Sequence, residues 1–279
     1  AALGNSGTSE TVGLYLRQPV SLTDIAWANN AQWTLNDSGT SINYTLTIAG
    51  GWSRTDMLTQ TDESWFDGLS AASYLLATTN KPYTRVEYLC GVRYSQVVRC
   101  GANWTTIYGV KCAACDRALA PAAGRSVFIA NCIFTSCTQA LLLGTAGPVF
   151  VSGCVFRATV AALLYPGTCD GFYFDSTNVL DNNTAFTFNL TQTIGRLYFN
   201  GITFNTDSSS VQFPLIIGEV YLKNCASNAA NVATIATFSR GKVILVNYQG
   251  TAGNNEMYLD GGFVQAQSTV RHTAIGTCP

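Results

Sequence analysis

The sequence predicts an all-β solenoid, in which short strands coil and stack in successive rungs. A loose repeat of about 22 residues runs from residue 85 to the C-terminus, and a period of this length is typical of stacked supersecondary units. The repeated segments are short, apolar and β-prone. Helical periodicity is nearly absent, which excludes a helical repeat.

The repeat is clearest where each unit begins. A short apolar run is followed by Asn or Gly and then by a residue of a buried type. This pattern occurs at residues 127–132, 149–154, 197–202, 220–225 and 243–248. Within one unit, short runs such as Val149–Val151 and Ala161–Tyr165 are separated by Gly, Asn and Pro corners. Each unit is therefore predicted to alternate strands and turns.

Residues 1–43 are predicted to form an N-terminal cap and lead-in, and residues 44–279 a single continuous domain. The segment 21–30 predicts one short helix, because Ser21 and Asp24 form a capping pair and Leu22 and Ile25 share one face. Terminal units of a solenoid need such a cover to hide the core and the strand edges.

The opening segments resemble a known family. An apolar strand followed by Gly50, Gly51 and Trp52, the segment Glu63–Gly68 and the segment Arg85–Val92 are similar to the first coils of right-handed parallel β-helix proteins of the pectate-lyase-like superfamily. The resemblance implies a right-handed parallel β-helix of about 8–10 rungs. The fold hosts lyases, hydrolases, adhesins, autotransporter passengers and phage spikes, so it implies little about activity.

Ten cysteines divide into two predicted groups. Alignment of the residue after Asn or Gly gives a column that contains Cys90, Cys112, Cys132, Cys154, Ser176, Ile202, Cys225 and Tyr248. Its five cysteines are predicted to be core thiols, since Cys behaves as a small buried hydrophobe. The other five are candidates for cross-links: Cys100, Cys115, Cys137, Cys169 and Cys278.

Among the cross-link candidates, Cys115 and Cys137 are placed on adjacent rungs at a shared corner, where the strand spacing suits a disulfide. Cys278 suits a bond to another subunit, and the connectivity is left open. Cys112 and Cys115 have zinc-like spacing, but a second such pair is missing and His272 is the only histidine. No metal site and no cofactor are predicted.

The acids do not predict a catalytic site. Hydrolases of this fold place two or three carboxylates on neighbouring rungs, and lyases bring calcium-binding Asp and a basic residue. Asp170, Asp175 and Asp181 cluster in sequence but fall at different corners. The rung acids are interpreted as solvated turn residues. His272 is interpreted as a surface or interface residue.

All five tryptophans lie in the first 104 residues: Trp27, Trp33, Trp52, Trp65 and Trp104. Two interpretations are open. They fill a wide, irregular N-terminal end, or they are exposed for stacking on sugars or for an interface.

The composition argues against nucleic-acid binding and against a membrane helix. Charged residues make up 11 % of the chain and the net charge is -1. No basic stripe points to nucleic acid and no apolar run is long enough for a membrane helix. A surface this poor in charge suits a permanent assembly.

These features predict a non-catalytic structural virion protein of a tailed bacteriophage. We expect a homotrimer on the virion surface that serves as capsid decoration, cement or spike beside the major capsid protein. The N-terminus lacks a basic-then-apolar signal pattern, so synthesis in the host cytoplasm is expected. The alternatives are a tailspike that binds or cleaves host surface polysaccharide, and a secreted adhesin.

Overall fold

The structure is a computed structural model that describes most of the central region and shorter segments on either side. The described residues are 12–17, 32–35, 38–39, 41–43, 45–52, 64–70, 72–78, 81–100, 103–121, 126–142, 147–157, 161–165, 171–175, 177–181, 188–190, 194–201, 203–204, 216–227, 236–238, 242–247, 249–250, 257–259, 263–267 and 275–277. The predicted helix at 21–30 lies outside these residues.

The described residues form thirty strands and no helix. The first ten are β1 Val12–Arg17, β2 Trp33–Thr34, β3 Leu46–Trp52, β4 Ser64–Asp67, β5 Tyr74–Thr78, β6 Thr84–Glu87, β7 Leu89–Val92, β8 Gln96–Cys100, β9 Thr105–Tyr108 and β10 Lys111–Ala113. The next ten are β11 Arg117–Pro121, β12 Val127–Ala130, β13 Ile133–Thr135, β14 Gln139–Leu142, β15 Val149–Ser152, β16 Val155–Arg157, β17 Ala161–Tyr165, β18 Phe172–Phe174, β19 Val179–Asp181 and β20 Phe188–Leu190. The last ten are β21 Ile194–Asn200, β22 Thr203–Phe204, β23 Ile216–Lys223, β24 Ala226–Ser227, β25 Ala236–Phe238, β26 Lys242–Val246, β27 Gln249–Gly250, β28 Met257–Leu259, β29 Phe263–Gln267 and β30 Ile275–Thr277.

Three parallel sheets form the walls of the solenoid. Sheet A has eleven strands in the order β1-β3-β6-β9-β12-β15-β18-β21-β23-β26-β29. Sheet B has seven, β2-β5-β8-β11-β14-β17-β20, and sheet C has six, β19-β16-β13-β10-β7-β4. Two three-stranded sheets, β22-β24-β27 and β25-β28-β30, follow towards the C-terminus. The predicted all-β parallel solenoid is confirmed.

About five regular turns, from β6 to β20, carry three strands each, in the order sheet A, sheet C, sheet B. Sheet A continues on both sides of these turns. The 22-residue repeat is one full turn of the coil, since Val127 pairs with Thr105 on one side and with Val149 on the other. Because all strands run parallel, each position of the repeat stacks directly on its equivalent.

The core lies inside the three sheets. Successive residues of a strand point to opposite faces, so Val127 and Ile129 of β12 are buried while Phe128 is half-buried on the outer face. The same alternation holds in β15 and β18, where Val149, Val151, Phe172 and Phe174 are buried. Full burial of one such side chain stabilises the fold by roughly 1.5–3 kcal/mol.

Single residues with left-handed backbone conformation make the corners between sheets. Between sheets A and C these residues are Tyr88, Gly109, Asn131 and Gly153, with φ from 49° to 62°. Gly201, Asn224 and Asn247, with φ from 51° to 70°, make the equivalent corners between sheet A and the sheet β22-β24-β27. Ala114 and Ser136 do the same between sheets C and B, and Trp104 and Ser126 between sheets B and A.

The corners stay hydrogen-bonded to their neighbours above and below. The Gly109 N–H donates to the Ala130 carbonyl at 3.0 Å, and the Asn131 N–H donates to the Ser152 carbonyl at 3.0 Å. The backbone ladder therefore continues around each bend, and a sharp turn leaves few polar groups unsatisfied.

Gly153 is the corner position with the least tolerance. Its φ is 61°, and a Cβ placed on it would collide with the Asn131 side-chain oxygen on the neighbouring rung. We predict that Gly153→Ala lowers the free energy of unfolding by about 2 kcal/mol, since the left-handed conformation alone costs a residue with a Cβ roughly 1–2 kcal/mol. Urea denaturation measures this, with Ser152→Ala as the control. Equal stability of the two variants would show that the corner tolerates a side chain.

Candidate functional site

The outer face of sheet A carries a continuous row of aromatic rings, which we call the aromatic stripe. It consists of Trp104, Phe128, Phe150, Tyr173, Tyr198 and Tyr221. Trp104 lies at the corner just before β9, and the others occupy the same outward position on β12, β15, β18, β21 and β23. The alternation of each strand places them outside, because both flanking positions are apolar.

The rings stack on one another along the solenoid axis. The centroid distance is 5.0 Å for Phe128–Phe150 and 4.8 Å for Phe150–Tyr173, with interplanar angles of 7° and 10°. The Tyr198–Tyr221 pair is similar, at 5.2 Å and 15°. These distances match the spacing of parallel strands, about 4.8 Å. Rings in the middle of the stripe therefore cover the faces of their neighbours, and mainly their edges are exposed to solvent.

The part of the stripe that contains Phe128 and Phe150 lies on an uncharged part of the surface. The outward residues of β9, β12 and β15 are Thr106, Tyr108, Phe128, Ala130, Phe150 and Ser152. Ion pairs lie on sheet A beyond this region, Arg85 with Glu87 on one side and Arg196 with Glu219 on the other.

The structure divides the predicted tryptophan set. Trp33 and Trp65 are partly buried against the core, and the Trp33 ring meets Phe66 edge to face at 5.0 Å. Trp104 is 40 % exposed and ends the stripe. Trp27 and the side chain of Trp52 lie outside the described residues. Packing at the N-terminal end thus fits Trp33 and Trp65, and a stacking or interface role of Trp104 stays a prediction.

Sequence reasoning missed the other rings of the stripe. Their signal was present in the middle residue of the repeated triplets 127–129, 149–151, 172–174, 197–199 and 220–222. In a strand with a buried residue on each side, that middle residue must face outward.

The eight described cysteines are all buried and reduced in this structure. They include the predicted core thiols Cys90, Cys112, Cys132, Cys154 and Cys225, whose burial is confirmed. Cys100, Cys115 and Cys137 are equally buried, so cross-linking by these three stays a prediction. Cys169 and Cys278 lie outside the described residues.

The alignment of all core cysteines in one column is wrong. Cys112 lies within β10 and pairs with Gly91 and Phe134 on sheet C. Cys132 lies one corner earlier in its turn, and Val110 occupies the equivalent position below it, since the Val110 and Cys132 carbonyls accept equivalent bonds on successive rungs. The spacing of 20 between Cys112 and Cys132, instead of 22, marks this change of column.

Five thiols share one local geometry. Each follows a left-handed corner residue: Cys115, Cys132, Cys137, Cys154 and Cys225. Each sulfur lies 3.2–3.5 Å from the carbonyl oxygen two residues earlier and 3.6–3.8 Å from a carbonyl on the preceding rung. The position therefore suits a small apolar side chain that is also a weak donor, which describes Cys.

Burial lowers the reactivity of three of the described thiols. It raises the pKa of Cys100 to about 12, and it raises the pKa values of Cys112 and Cys132 well above the usual range. A thiol reacts as its thiolate, so these three side chains are structural.

A groove with a volume of about 480 Å³ lies at the corner between sheets C and B. We call it the corner groove. Its lining includes Arg93, Cys115, Asp116, Ser136 and Thr138. Arg93 donates from Nε to Oδ1 of Asp67 at 3.0 Å and from Nη2 to Oδ2 of the same carboxylate. This two-point contact fixes the guanidinium at the groove and ties neighbouring rungs together.

Other described acids are also engaged on the outer surface. Asp116 lies 3.6 Å from the Arg117 guanidinium, and Asp175 accepts from the Thr177 backbone N–H at 3.1 Å. Within the described ranges, no three His, Cys, Asp or Glu side chains are grouped so as to hold a metal ion. The same part of the chain contains no helix that is long and apolar enough to span a membrane.

Comparison of the chain with protein-family models, with curated proteins and with solved structures finds no match. The fold is therefore established by its strand pairing, and the function is argued from the geometry of the stripe and the groove.

The Arg93 guanidinium lowers the pKa of Asp67 below its ordinary value of 3.8. A depressed pKa means that the ion pair stabilises the fold fully above the unfolded pKa, and that this contribution is lost as pH falls through the folded value. We predict that Asp67→Asn makes thermal stability less dependent on pH below about pH 4. Thermal unfolding from pH 2.5 to pH 7 measures this, with Asp116→Asn as the carboxylate control. If stability falls at low pH in Asp67→Asn as it does in the wild type, the ion pair with Arg93 is not the cause of that fall.

Proposed function

We propose that this chain is a structural protein that assembles side by side with copies of itself through the aromatic stripe. The setting we propose is a homotrimer on the surface of a tailed-phage virion, where it serves as capsid decoration, cement or spike beside the major capsid protein. The observation that carries the proposal is the stack of rings on the outer face of sheet A, whose part around Phe128 and Phe150 is uncharged.

The chemistry of the stripe favours a protein partner. Cores of protein interfaces are enriched in aromatic residues and depleted of charge, and the outward positions of β9, β12 and β15 have both properties. The rings are held in register by the backbone, so little side-chain entropy is lost when they are covered. A second copy carries a stripe with the same 22-residue period, so each rung of one copy can contact a rung of the other.

The charges around the stripe also suit a second copy. The ion pairs Arg85–Glu87 and Arg196–Glu219 lie on either side of the uncharged region. Paired charges of this kind place a polar rim around an apolar centre, which is the usual anatomy of an interface.

The virion setting is supported by composition. A chain with 11 % charged residues has a surface suited to permanent contacts, and the eight described cysteines of its ten are reduced and buried. Reduced thiols fit synthesis in a cytoplasm, and later exposure to oxidants outside the cell fits a particle that is released.

The experiment compares two double variants in adjacent rungs. Phe128→Glu with Phe150→Glu introduces charge into the stripe on sheet A, at a directly paired position. As the control, Ile133→Glu with Val155→Glu introduces two charges on the outer face of sheet C in the same two turns. We predict that the stripe variant shifts the protein to a monomer and that the sheet C variant keeps the wild-type mass.

Light scattering after size exclusion, at several protein concentrations, gives the mass of each protein. Circular dichroism checks that both variants remain β-structured. A wild-type protein that is monomeric at high concentration, or a trimer that survives the stripe variant, would exclude the stripe as the interface.

One observation favours a second candidate function, the binding or cleavage of host surface polysaccharide. Trp104 is 40 % exposed at the end of the stripe, and an exposed ring face can stack on a sugar. The inner rings are less suitable because neighbouring rings cover their faces. If this function operates, Trp104→Ala loses binding to the polysaccharide in a pull-down and the Phe128 and Phe150 variants retain it, and a reducing-sugar assay detects any turnover.

A further inference from the structure

We propose that Cys115 and Cys137 are a redox-active pair that oxidises to a disulfide and so joins two neighbouring rungs at the corner groove. The inference is independent of the proposed assembly, because both residues belong to one chain and lie on a different corner from the stripe.

The backbone places the two residues one above the other. Cys115 follows Ala114 at the end of β10 and Cys137 follows Ser136 at the end of β13, and both preceding residues are left-handed. The Thr138 N–H donates to the Cys115 carbonyl at 2.9 Å, which fixes the register of the two corners. Adjacent parallel strands lie about 4.8 Å apart, inside the Cα separation that a disulfide accepts.

The side chains are also close. The Cys115 and Cys137 thiols are near enough to shift each other's pKa. Both sulfurs lie on the inner side of the bend, each near the carbonyl two residues earlier, at 3.3 Å for Cys115 and 3.5 Å for Cys137. Both side chains therefore point into the same corner, and a rotation about their Cα–Cβ bonds can bring the sulfurs together.

The position of the groove assigns the roles of the two thiols. Both side chains are buried, but only Cys115 lines the corner groove, beside Ser136 and Thr138. An oxidant in the groove therefore meets Cys115 first, which makes Cys115 the attacking thiolate and Cys137 the resolving thiol. The neighbouring Cys137 thiol also lowers the pKa of Cys115.

The reaction balances with a small hydroperoxide as oxidant. The Cys115 thiolate attacks one oxygen of hydrogen peroxide, the O–O bond breaks, and the released hydroxide takes up a proton to give water. The Cys137 sulfur then attacks the sulfenic sulfur of Cys115. The S–S bond forms, and the hydroxyl group leaves as a second water with the Cys137 proton. The two sulfurs lose two electrons, which reduce the peroxide.

A matched pair in the same fold provides the internal comparison. Cys132 and Cys154 are also stacked corner thiols, since the Val155 N–H donates to the Cys132 carbonyl at 2.9 Å and their thiols are in contact. Both are fully buried, and neither lines the corner groove. Burial and the neighbouring thiol raise the pKa of Cys132. This pair is stacked in the same way but lies away from the corner groove, so an oxidant in the groove does not meet it.

The test is peptide mapping of the folded wild-type chain after brief treatment with hydrogen peroxide and alkylation of the remaining thiols. Trypsin releases Cys115 in peptide 112–117 and Cys137 in peptide 126–157, which also holds Cys132 and Cys154. A Cys115–Cys137 bond links the two peptides, whereas a Cys132–Cys154 bond closes a loop within the second. We expect the linked species to exceed the internal loop by at least about tenfold, since only the Cys115–Cys137 pair has a thiol that lines the corner groove.

Cysteine-to-serine variants show which two sulfurs form the disulfide. Cys137→Ser is expected to lose the linked species and to leave a sulfenic acid on Cys115 that reacts with dimedone. Cys112→Ser and Cys154→Ser are expected to keep the link. Persistence of the link in Cys137→Ser, an internal loop formed as fast as the link, or full alkylation of Cys115 and Cys137 in the oxidised wild type would each overturn the proposal. Peptide 112–117 also contains Cys112, so fragmentation of the linked species in the mass spectrometer is used to assign the bond to Cys115 and Cys137. The fragmented wild-type map then decides the question even if a variant fails to fold.

Discussion

The structure depends on one backbone device, the single left-handed residue that bends the chain between two parallel sheets without interrupting its hydrogen bonds. At Gly109 and Asn131 the corner N–H still donates to a carbonyl on the next rung. Each turn of the regular region closes with such bends, which keeps the length of the rung near 22 residues. Without this constancy, equivalent residues would not stack, and neither the core columns nor the outer stripe would form.

The bends also explain the unusual use of cysteine. The residue after a bend points into a narrow corner where carbonyl oxygens of its own rung and of the rung below converge. Leu89 and Val110 fill that place with apolar bulk alone, whereas Cys132 and Cys154 add a weak donor. The main role of cysteine in this chain is thus packing, and a cysteine is available for oxidation only where its corner faces a groove, as at Cys115.

The outer surface follows the same rule in a different way. Because rungs repeat in register, any residue type that recurs at one outward position becomes a continuous row along the axis. Aromatic residues at the middle of the sheet A strands become a stack of rings, and charged residues on the same sheet become ion pairs such as Arg196 with Glu219. A solenoid therefore converts a repeat in sequence into a linear surface, which suits assembly along a parallel partner.

The sequence by itself determined the period, the alternation of short strands with bends, the all-β class and the burial of Cys90, Cys112, Cys132, Cys154 and Cys225, because these depend on local residue type and spacing. The middle residues of the repeated triplets also carried the stripe, although the signal was missed. Only the tertiary structure decided the register. It placed Cys112 opposite Phe134 and Cys132 at another corner, separated Trp104 from the buried Trp33 and Trp65, and opened a groove beside Cys115. These outcomes depend on which carbonyl on the next rung accepts the hydrogen bond from each corner N–H. Where the spacing between cysteines changes from 22 to 20 residues, the sequence does not determine that partner, because it depends on how the rungs stack.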